Sequence, residues 1–183
     1  MNKEDLIKKY INYISDSDHN IKLSEVTLDQ NLHEIIIDGK FCIVRELSWK
    51  EGLMIDMQSY KMRGKDLFFN DSYEKITILQ KAFITLNNEK VNFENLSDEF
   101  IEKLWNEYKK YLHLSIQEIN FLYESSKKYF SSNENEIFPL HPLIIEIDYM
   151  TKGMVHYSKN EFENLSMRQF EAIQLILATK NEI

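Results

Sequence analysis

Residues 41–64 read FCIVRELSWKEGLMIDMQSYKMRG, a short run that favours a strand and leads directly into a helix. Ser48 lies three residues before Glu51, which is the spacing of a capping box. In that motif the Ser hydroxyl accepts from the Glu amide, and the Glu carboxylate accepts from the Ser amide. The stretch therefore predicts a strand, a cap and an amphipathic helix that ends at Gly64.

A tight hairpin is predicted just before this helix. Residues 32–37 and 40–46 are rich in β-favouring side chains and flank the dipeptide Asp38-Gly39, whose members tolerate positive φ. Residues 21–27 alternate well enough to add a third strand. A sheet this small needs a helix on one face, and the helix that begins at Trp49 is the nearest one.

The rest of the chain shows helical periodicity and repeated caps. The fold class predicted is mainly α, α+β in detail, with a small N-terminal antiparallel hairpin or three-stranded sheet packed on about six helices. Ser97, the pair Ser115 and Glu118, and Pro142 are typical of helix starts. Further helices are predicted over residues 3–14, 71–86, 98–114, 116–130, 143–152, 159–164 and 167–180.

One linker is predicted, because residues 131–136 read SSNENE, polar and without periodicity. This divides the chain into a hairpin and helical domain over residues 1–130, a linker over 131–142 and a C-terminal helical subdomain over 143–183.

Charge and composition exclude several classes of partner. The 183 residues carry a formal net charge of −8, and a protein this acidic repels nucleic acid phosphates and anionic membranes. Cys42 is the only cysteine, so neither an intrachain disulfide nor a Cys-based zinc cluster can form. The N-terminus lacks the apolar core of a signal peptide, and no segment reaches the roughly 18 apolar residues of a membrane span.

No catalytic, cofactor or metal site is predicted. The sequence contains no Gly-rich phosphate loop, no nucleophile elbow and no metal-ligand spacing. The densest polar group is His141 with Glu146 and Asp148, and the last two point to different sides of a helix, so they are predicted to be solvated carboxylates and not ligands of one metal ion. An enzyme built from scattered carboxylates and histidines stays open as an alternative. The five histidines are His19, His33, His113, His141 and His156.

The methionines and aromatics suggest a contact surface. Methionine is flexible and suits both core gaps and surfaces that accept varied apolar partners. Six methionines lie on or beside the predicted helices: Met54, Met57, Met62, Met150, Met154 and Met167. Trp49, Leu53, Met57 and Tyr60 form an apolar stripe on the first of these helices, and Trp105 and Tyr108 lie on the stripe of another. Both stripes serve equally well as core or as contact face. The candidate partner-binding residues are Trp49, Leu53, Met57, Trp105 and Tyr108.

The layout resembles a family of phage proteins. The residues that carry the resemblance are VRELSWKEGLMIDMQSY at 44–60, ITLNNEKVNFENLSDEFIEKLW at 84–105 and FENLSMRQFEAIQLILATKN at 162–181. Together they resemble tail assembly chaperones of tailed bacteriophages and, more loosely, the baseplate hub assembly proteins of contractile-tailed phages. The similarity is one of pattern and covers residues 31–112 and 143–180.

The resemblance implies a non-enzymatic protein of the host bacterial cytoplasm that binds the tape measure protein, or other tail proteins, during tail morphogenesis. The resemblance implies no catalytic residues, no cofactor, and no binding to nucleic acid or to a membrane. It is compatible with a homo-oligomer. The chain departs from the simplest members in its N-terminal helix and its fused C-terminal part. The alternative is a structural baseplate or hub component that stays in the virion tail.

Overall fold

The computed structural model describes residues 28, 31–131 and 140–183. They form two compact units. The sheet unit comprises residues 31–113 and 159–168, and the helical unit comprises residues 28, 114–131, 140–158 and 169–183. The helix expected over 3–14 and the strand expected over 21–27 lie outside the described residues.

The sheet unit contains the predicted hairpin. β1 (Leu32–Ile37) and β2 (Lys40–Arg45) pair antiparallel, and Leu32 faces Arg45 in the register. Asp38 and Gly39 form the turn with φ of 51° and 75°. Both values lie in the left-handed region that a tight hairpin turn requires. The prediction of a hairpin here is confirmed, as is the mainly α, α+β fold class.

α1 (Trp49–Ser59) begins at the predicted cap. The Glu51 amide donates to Ser48 Oγ at 3.2 Å, and the Ser48 amide donates to Glu51 Oε2 at 3.1 Å. The predicted end at Gly64 is wrong, because the chain turns extended at Tyr60, with φ −78° and ψ 129°. The aromatic and alternating residues that follow the helix favour a strand.

Those residues form a second hairpin that the sequence analysis did not predict. β3 (Tyr60–Arg63) pairs antiparallel with β4 (Asp66–Phe69) as a separate two-stranded sheet. Gly64, with φ 70°, is the first residue of the two-residue turn. A glycine at that position suits a type II′ hairpin turn.

The third strand of the main sheet lies where the sequence predicted the end of a helix. α2 (Asp71–Ala82) ends before β5 (Phe83–Leu86), which pairs antiparallel with β2, so the strand order is β1-β2-β5. Phe-Ile-Thr-Leu favours a strand, and Asn87 and Asn88 turn the chain at positive φ. Helical spacing continues to Phe83, so the predicted helix over 71–86 overran by four residues.

The core of the sheet unit lies between one face of the sheet and the helices. α3 (Asp98–Tyr108) starts at Ser97, whose Oγ accepts from the Phe100 amide at 3.3 Å, as predicted. It ends at Tyr108, and a 3-10 turn over residues 109–111 follows. Alternate sheet residues point inward and meet the helices, so the core consists chiefly of Ile35, Ile37, Cys42, Val44, Ile55, Leu79, Ala82, Phe100 and Leu104.

The helical unit shows the other predicted caps. In α4 (Ile116–Ser131) the Glu118 amide donates to Ser115 Oγ at 3.2 Å, and the Ser115 amide donates to Glu118 Oε2 at 2.7 Å. α5 (Pro142–Thr151) has Pro142 at its first position. Gly153 follows its end with φ 71°. α7 (Met167–Glu182) supplies its C-terminal part to this unit. Buried aliphatic side chains fill the interior, among them Leu122, Ile144, Ile145, Ile173 and Ile176.

A buried carboxylate connects three helices in the described part of the helical unit. Asp148 on α5 accepts from Tyr129 Oη at 3.0 Å, from Lys152 Nζ at 2.7 Å and from Lys180 Nζ at 2.9 Å. Burial alone would raise the pKa of Asp148, but these three donors together lower it. Asp148 is therefore an ionised structural contact and not a solvated carboxylate.

The division of the chain into these two units differs from the predicted one, which placed a single boundary at residues 131–142. The segment over 159–168, which holds α6 (Lys159–Glu163) and the first two residues of α7, belongs to the sheet unit. Backbone bonds hold it there, since the Trp49 amide donates to the Leu165 carbonyl at 3.0 Å and the Met167 amide donates to the Leu47 carbonyl at 3.2 Å. Of the predicted linker, residues 132–139 lie outside the described part of the chain.

Candidate functional site

A run of exposed apolar side chains follows α1 into the β3–β4 hairpin, and we call it the apolar patch. Contiguous apolar surface marks interaction sites, so large exposed apolar residues that are close together in the chain indicate a candidate site. The members and their exposed fractions are Leu53 46%, Met54 50%, Met57 62%, Tyr60 48%, Met62 65%, Leu67 62% and Phe68 43%.

The hairpin register explains why its part of the patch is apolar. Tyr60 pairs with Phe69 and Met62 pairs with Leu67. Directly opposed residues of an antiparallel pair project to the same face, so one face of the ribbon carries only these four side chains. Phe68 pairs with Lys61 and projects from the other face. Tyr60 and Phe69 make an edge-to-face contact with ring centroids 5.0 Å apart. The ribbon therefore presents an aromatic and thioether face.

The five candidate contact residues lie in different environments. Leu53 and Met57 belong to the apolar patch. Trp49 is half-buried, and its indole Nε1 donates to the Phe162 carbonyl at 2.7 Å. Trp105 is half-buried against the core. Tyr108 is fully buried, and its hydroxyl donates to the Arg45 carbonyl at 2.9 Å, so this residue is part of the core.

The apolar stripe on α1 does not face the core of the sheet unit. The buried residues of this helix are Ile55 and Ser59, and Ser59 Oγ donates back to the Ile55 carbonyl at 2.8 Å. These two residues are four apart and share a face, which differs from the face of Leu53 and Met57. The stripe that the sequence offered as core or contact face is thus a surface feature from Leu53 onward.

A buried ionic cluster holds the segment over 159–168 to β2. Glu46 Oε1 accepts from His33 Nε2 at 2.8 Å and from Arg168 Nη1 at 2.7 Å. The His33 ring stacks on Tyr111 with centroids 3.7 Å apart. Burial alone would raise the pKa of Glu46, but hydrogen bonds from His33, Ser166 and Arg168 together lower it. Glu46 is consequently an anion inside the unit.

A polar cleft of about 580 Å³ opens beside this cluster. Apart from Glu46, the charged side chains that line it are paired with one another. Arg45 Nη1 lies 2.8 Å from Glu51 Oε2, and Lys50 Nζ lies 2.9 Å from Glu163 Oε2. The ion pairs connect β2, α1 and α6, so the lining residues already serve the fold.

The Arg45–Glu51 pair predicts an acid-sensitive stability. Hydrogen bonds from Arg45 are the main cause that lowers the pKa of Glu51 to about 2. A carboxyl with a lowered folded-state pKa stabilises the fold fully above its unfolded-state pKa, about 4.3, and loses that contribution as the pH falls toward 2. We expect the free energy of unfolding to exceed that of Glu51→Gln by an amount that is constant above about pH 5 and vanishes near pH 2.

Urea titrations of both proteins across this pH range measure that difference. In the Glu51→Gln variant the amide oxygen of the new side chain still accepts from the Ser48 amide, so the variant retains the cap and removes only the charge. A difference that does not change with pH would show that the ion pair with Arg45 contributes nothing to stability.

The histidines are dispersed across the described residues. His33 belongs to the Glu46 cluster, and His141 caps α5 by accepting from the Leu143 amide at 3.2 Å. His19 lies outside the described part of the chain. Over the described residues, no group of three or more His, Cys, Asp and Glu side chains is placed to hold a metal ion. Cys42 is fully buried, and this burial raises the pKa of its thiol.

Sequence reasoning missed the hairpin half of the apolar patch. The signal was present in YKMRGKDLFF over residues 60–69, where apolar and charged residues alternate before Gly64 and an apolar run rich in aromatics follows it. Two such runs around a glycine are typical of a hairpin. The helical spacing of Trp49, Leu53, Met57 and Tyr60 favoured a helix instead, and the predicted helix was extended too far.

Comparison with known proteins adds no family to this description. Among the described residues, no helix has the length and apolar character needed to cross a membrane. No protein-family model matches the chain, and no curated protein or solved structure is significantly similar to it.

Proposed function

We propose that this chain is a non-enzymatic bacteriophage tail assembly chaperone that binds the tape measure protein in the host cytoplasm. The observation that carries the proposal is the apolar patch, seven large side chains that are each at least 43% exposed and that lie on three consecutive elements. Such a surface is costly for an ordinary monomer and suits a protein that covers apolar stripes of a client.

The composition of the patch supports binding to a varied client. Three of its members, Met54, Met57 and Met62, are methionines with at least half of the side chain exposed. Unbranched, polarisable side chains repack against different apolar shapes, which is how permissive binding surfaces work. A long helical ruler protein presents many such shapes along its length.

The paired charges of the polar cleft support a binding protein over an enzyme. Arg45, Glu51, Lys50 and Glu163 each have an oppositely charged partner within the cleft, so their charges are already neutralised. The lowered pKa of Glu51 has its cause in the ion pair with Arg45, and structural ion pairs shift pKa values in this way without a catalytic role. The patch is the stronger feature, and its chemistry is that of protein recognition.

Co-expression with the tape measure protein of the same phage tests the proposal. We expect a soluble complex that co-elutes in size-exclusion chromatography, and a tape measure protein that aggregates when expressed alone. Mass spectrometry of purified virions should not find the chain. Its presence in virions at a fixed copy number would overturn the chaperone in favour of a baseplate or hub component.

A further inference from the structure

We propose that the outer edge of β1 binds an extended segment of a partner protein that places a lysine or an arginine opposite Glu34. The bound segment adds a strand to the three-stranded sheet. Three features of β1 carry the inference: a row of outward backbone groups, two exposed apolar side chains, and an exposed carboxylate between them. These residues lie outside the apolar patch, so the inference goes beyond the proposed function and does not depend on it.

The register of the main sheet shows which backbone groups face outward. β1 is an edge strand, because the strand order is β1-β2-β5. The Glu46 amide donates to the Asn31 carbonyl at 2.8 Å, in continuation of the β1–β2 register. Opposed residues of an antiparallel pair exchange hydrogen bonds at every second position. The residues of β1 that bond to β2 are therefore His33, Ile35 and Ile37.

The amides and carbonyls of the residues between them point away from β2. They belong to Leu32, Glu34 and Ile36, and within residues 31–131 and 140–183 none of these six groups has a backbone hydrogen-bond partner. Such a row of unpaired groups is a template for another strand, which satisfies them with main-chain hydrogen bonds. A helix pairs its backbone groups internally and cannot do so. The backbone thus specifies an extended partner.

The side chains of the same three residues share one face of the sheet. Burial alternates along β1, and its exposed members are Leu32, Glu34 and Ile36. Leu32 and Ile36 are each more than half exposed. Directly opposed side chains of neighbouring strands contact one another. A partner strand with apolar residues opposite Leu32 and Ile36 therefore covers both of them.

The middle position selects for a cation. Glu34 is exposed and faces Ile43 of β2, so β2 gives it no charged neighbour at that position. Arg45 projects to the same face, but its guanidinium donates two hydrogen bonds to Glu51. Among the described residues, Glu34 forms no ion pair. Opposite charges at directly opposed positions stabilise a strand pair, so a lysine or an arginine is favoured opposite Glu34.

A second copy of β1 fits this edge less well. In a two-fold antiparallel pair that uses all three outward positions, Leu32 faces Ile36 of the other copy and Glu34 faces its own counterpart. Like charges that oppose each other directly destabilise a strand pair. Glu34 therefore acts against self-pairing, as charged side chains on edge strands do, and leaves the edge to a basic partner.

Two short peptides that differ in one charge test the proposal on the full-length chain. Both contain about nine residues, enough for one strand, with the central sequence Ile-Thr-Lys-Thr-Ile in one and Ile-Thr-Glu-Thr-Ile in the other. Each central sequence reads the same in both directions, so the test covers parallel and antiparallel addition. We expect fluorescence anisotropy to show that the Lys peptide binds about fivefold more tightly than the Glu peptide.

Amide hydrogen exchange shows whether the bound peptide has added a strand. In the free chain we expect the amides of Leu32, Glu34 and Ile36 to exchange fast, and those of His33 and Ile35 to exchange slowly. Saturation with the Lys peptide should slow the exchange of the first three. Binding of the peptide to an apolar surface elsewhere would leave these amides unchanged.

Two variants separate the charge from the backbone. Glu34→Lys should invert the preference to the Glu peptide, although the net charge of the chain stays negative. Glu34→Pro removes an outward amide and no hydrogen bond to β2, which an edge strand tolerates, and should abolish binding of both peptides. If the proline variant does not fold, Glu34→Lys still decides. The matched control Glu124→Lys on α4 changes the net charge equally and should keep the preference for the Lys peptide.

Four results would overturn the inference. Equal binding of both peptides would show that Glu34 selects nothing, and binding without slower amide exchange would place the peptides elsewhere. Slow exchange at Leu32, Glu34 and Ile36 in the free chain at every concentration would mean that the chain covers its own edge, for example with residues 21–27. Slow exchange that appears only at high concentration would favour a second copy. The co-expression experiment judges the proposed chaperone separately in each case.

Discussion

Replacing Arg168 with Met is expected to lower the free energy of unfolding by about 3–5 kcal/mol, because it leaves the buried Glu46 carboxylate without its cation. The side chains of Glu46 and Arg168 are 2% and 7% exposed, so water cannot replace the lost partner. Urea denaturation followed by tryptophan fluorescence measures the loss. Both tryptophans of the chain, Trp49 and Trp105, lie in the sheet unit and report on it.

The pH dependence of the Arg168→Met variant distinguishes an unpaired charge from a loss of packing. Without Arg168, burial dominates and raises the pKa of Glu46 above its unfolded-state value. A raised carboxyl pKa contributes stability at low pH that is lost as the pH rises through the folded-state pKa. The difference in stability from wild type should therefore be smaller at pH 5 than at pH 8.

Two further proteins control this prediction. Glu46→Gln/Arg168→Met removes both charges and keeps an acceptor for His33, so it should recover more than half of the lost free energy. Lys110→Met breaks the exposed pair with Glu107 and should cost less than about 1 kcal/mol. An Arg168→Met variant that is as stable as Lys110→Met would show that the buried cluster does not hold the segment over 159–168.

The second large effect concerns the apolar patch. Met57→Asp/Leu67→Asp places two charges where the client stripe must pack, and we expect the affinity for the tape measure protein to fall at least about thirtyfold, the level of a hot spot. Both side chains are 62% exposed, so the folded protein accommodates the substitutions within about 0.5 kcal/mol each. Pull-down of the co-expressed pair, followed by titration of the purified proteins, measures the loss.

A matched pair of substitutions on another exposed surface is the control. Leu32→Asp/Ile36→Asp alters two exposed apolar residues of β1, 59% and 67% exposed, that lie outside the patch. This variant should bind the client as wild type does. A folded Met57→Asp/Leu67→Asp protein that retains full affinity would remove the apolar patch from the proposed function.

Signals carried within a few residues predicted the element starts correctly. The capping boxes at Ser48 and Ser115, the cap at Ser97, and Pro142 all begin helices in the structure. The Asp38-Gly39 turn forms the expected hairpin. Each of these features is completed by bonds between residues two to four apart, so the sequence contains both partners of the interaction.

Structural features that depend on partners far away in the chain were not predicted. Residues 83–86 fit a helix by their spacing, yet they form a strand because β2 offers an open edge. The segment over 159–168 has the periodicity of a C-terminal subdomain, yet Glu46 and the backbone near Trp49 bind it to the sheet unit. A local pattern cannot report a strand edge that lies some 40 residues away in the chain, or a buried anion that lies 122 residues away.

The candidate contact face shows the same difference between local signals and distant partners. The amino-acid sequence predicts the capped helix and the stripe of Leu53 and Met57 on it, and its single cysteine rules out an intrachain disulfide. The structure then shows Tyr108 in the core, whereas Leu53 and Met57 are exposed. Periodicity states which residues share a face of a helix, but the partners that pack against that helix decide which face is buried.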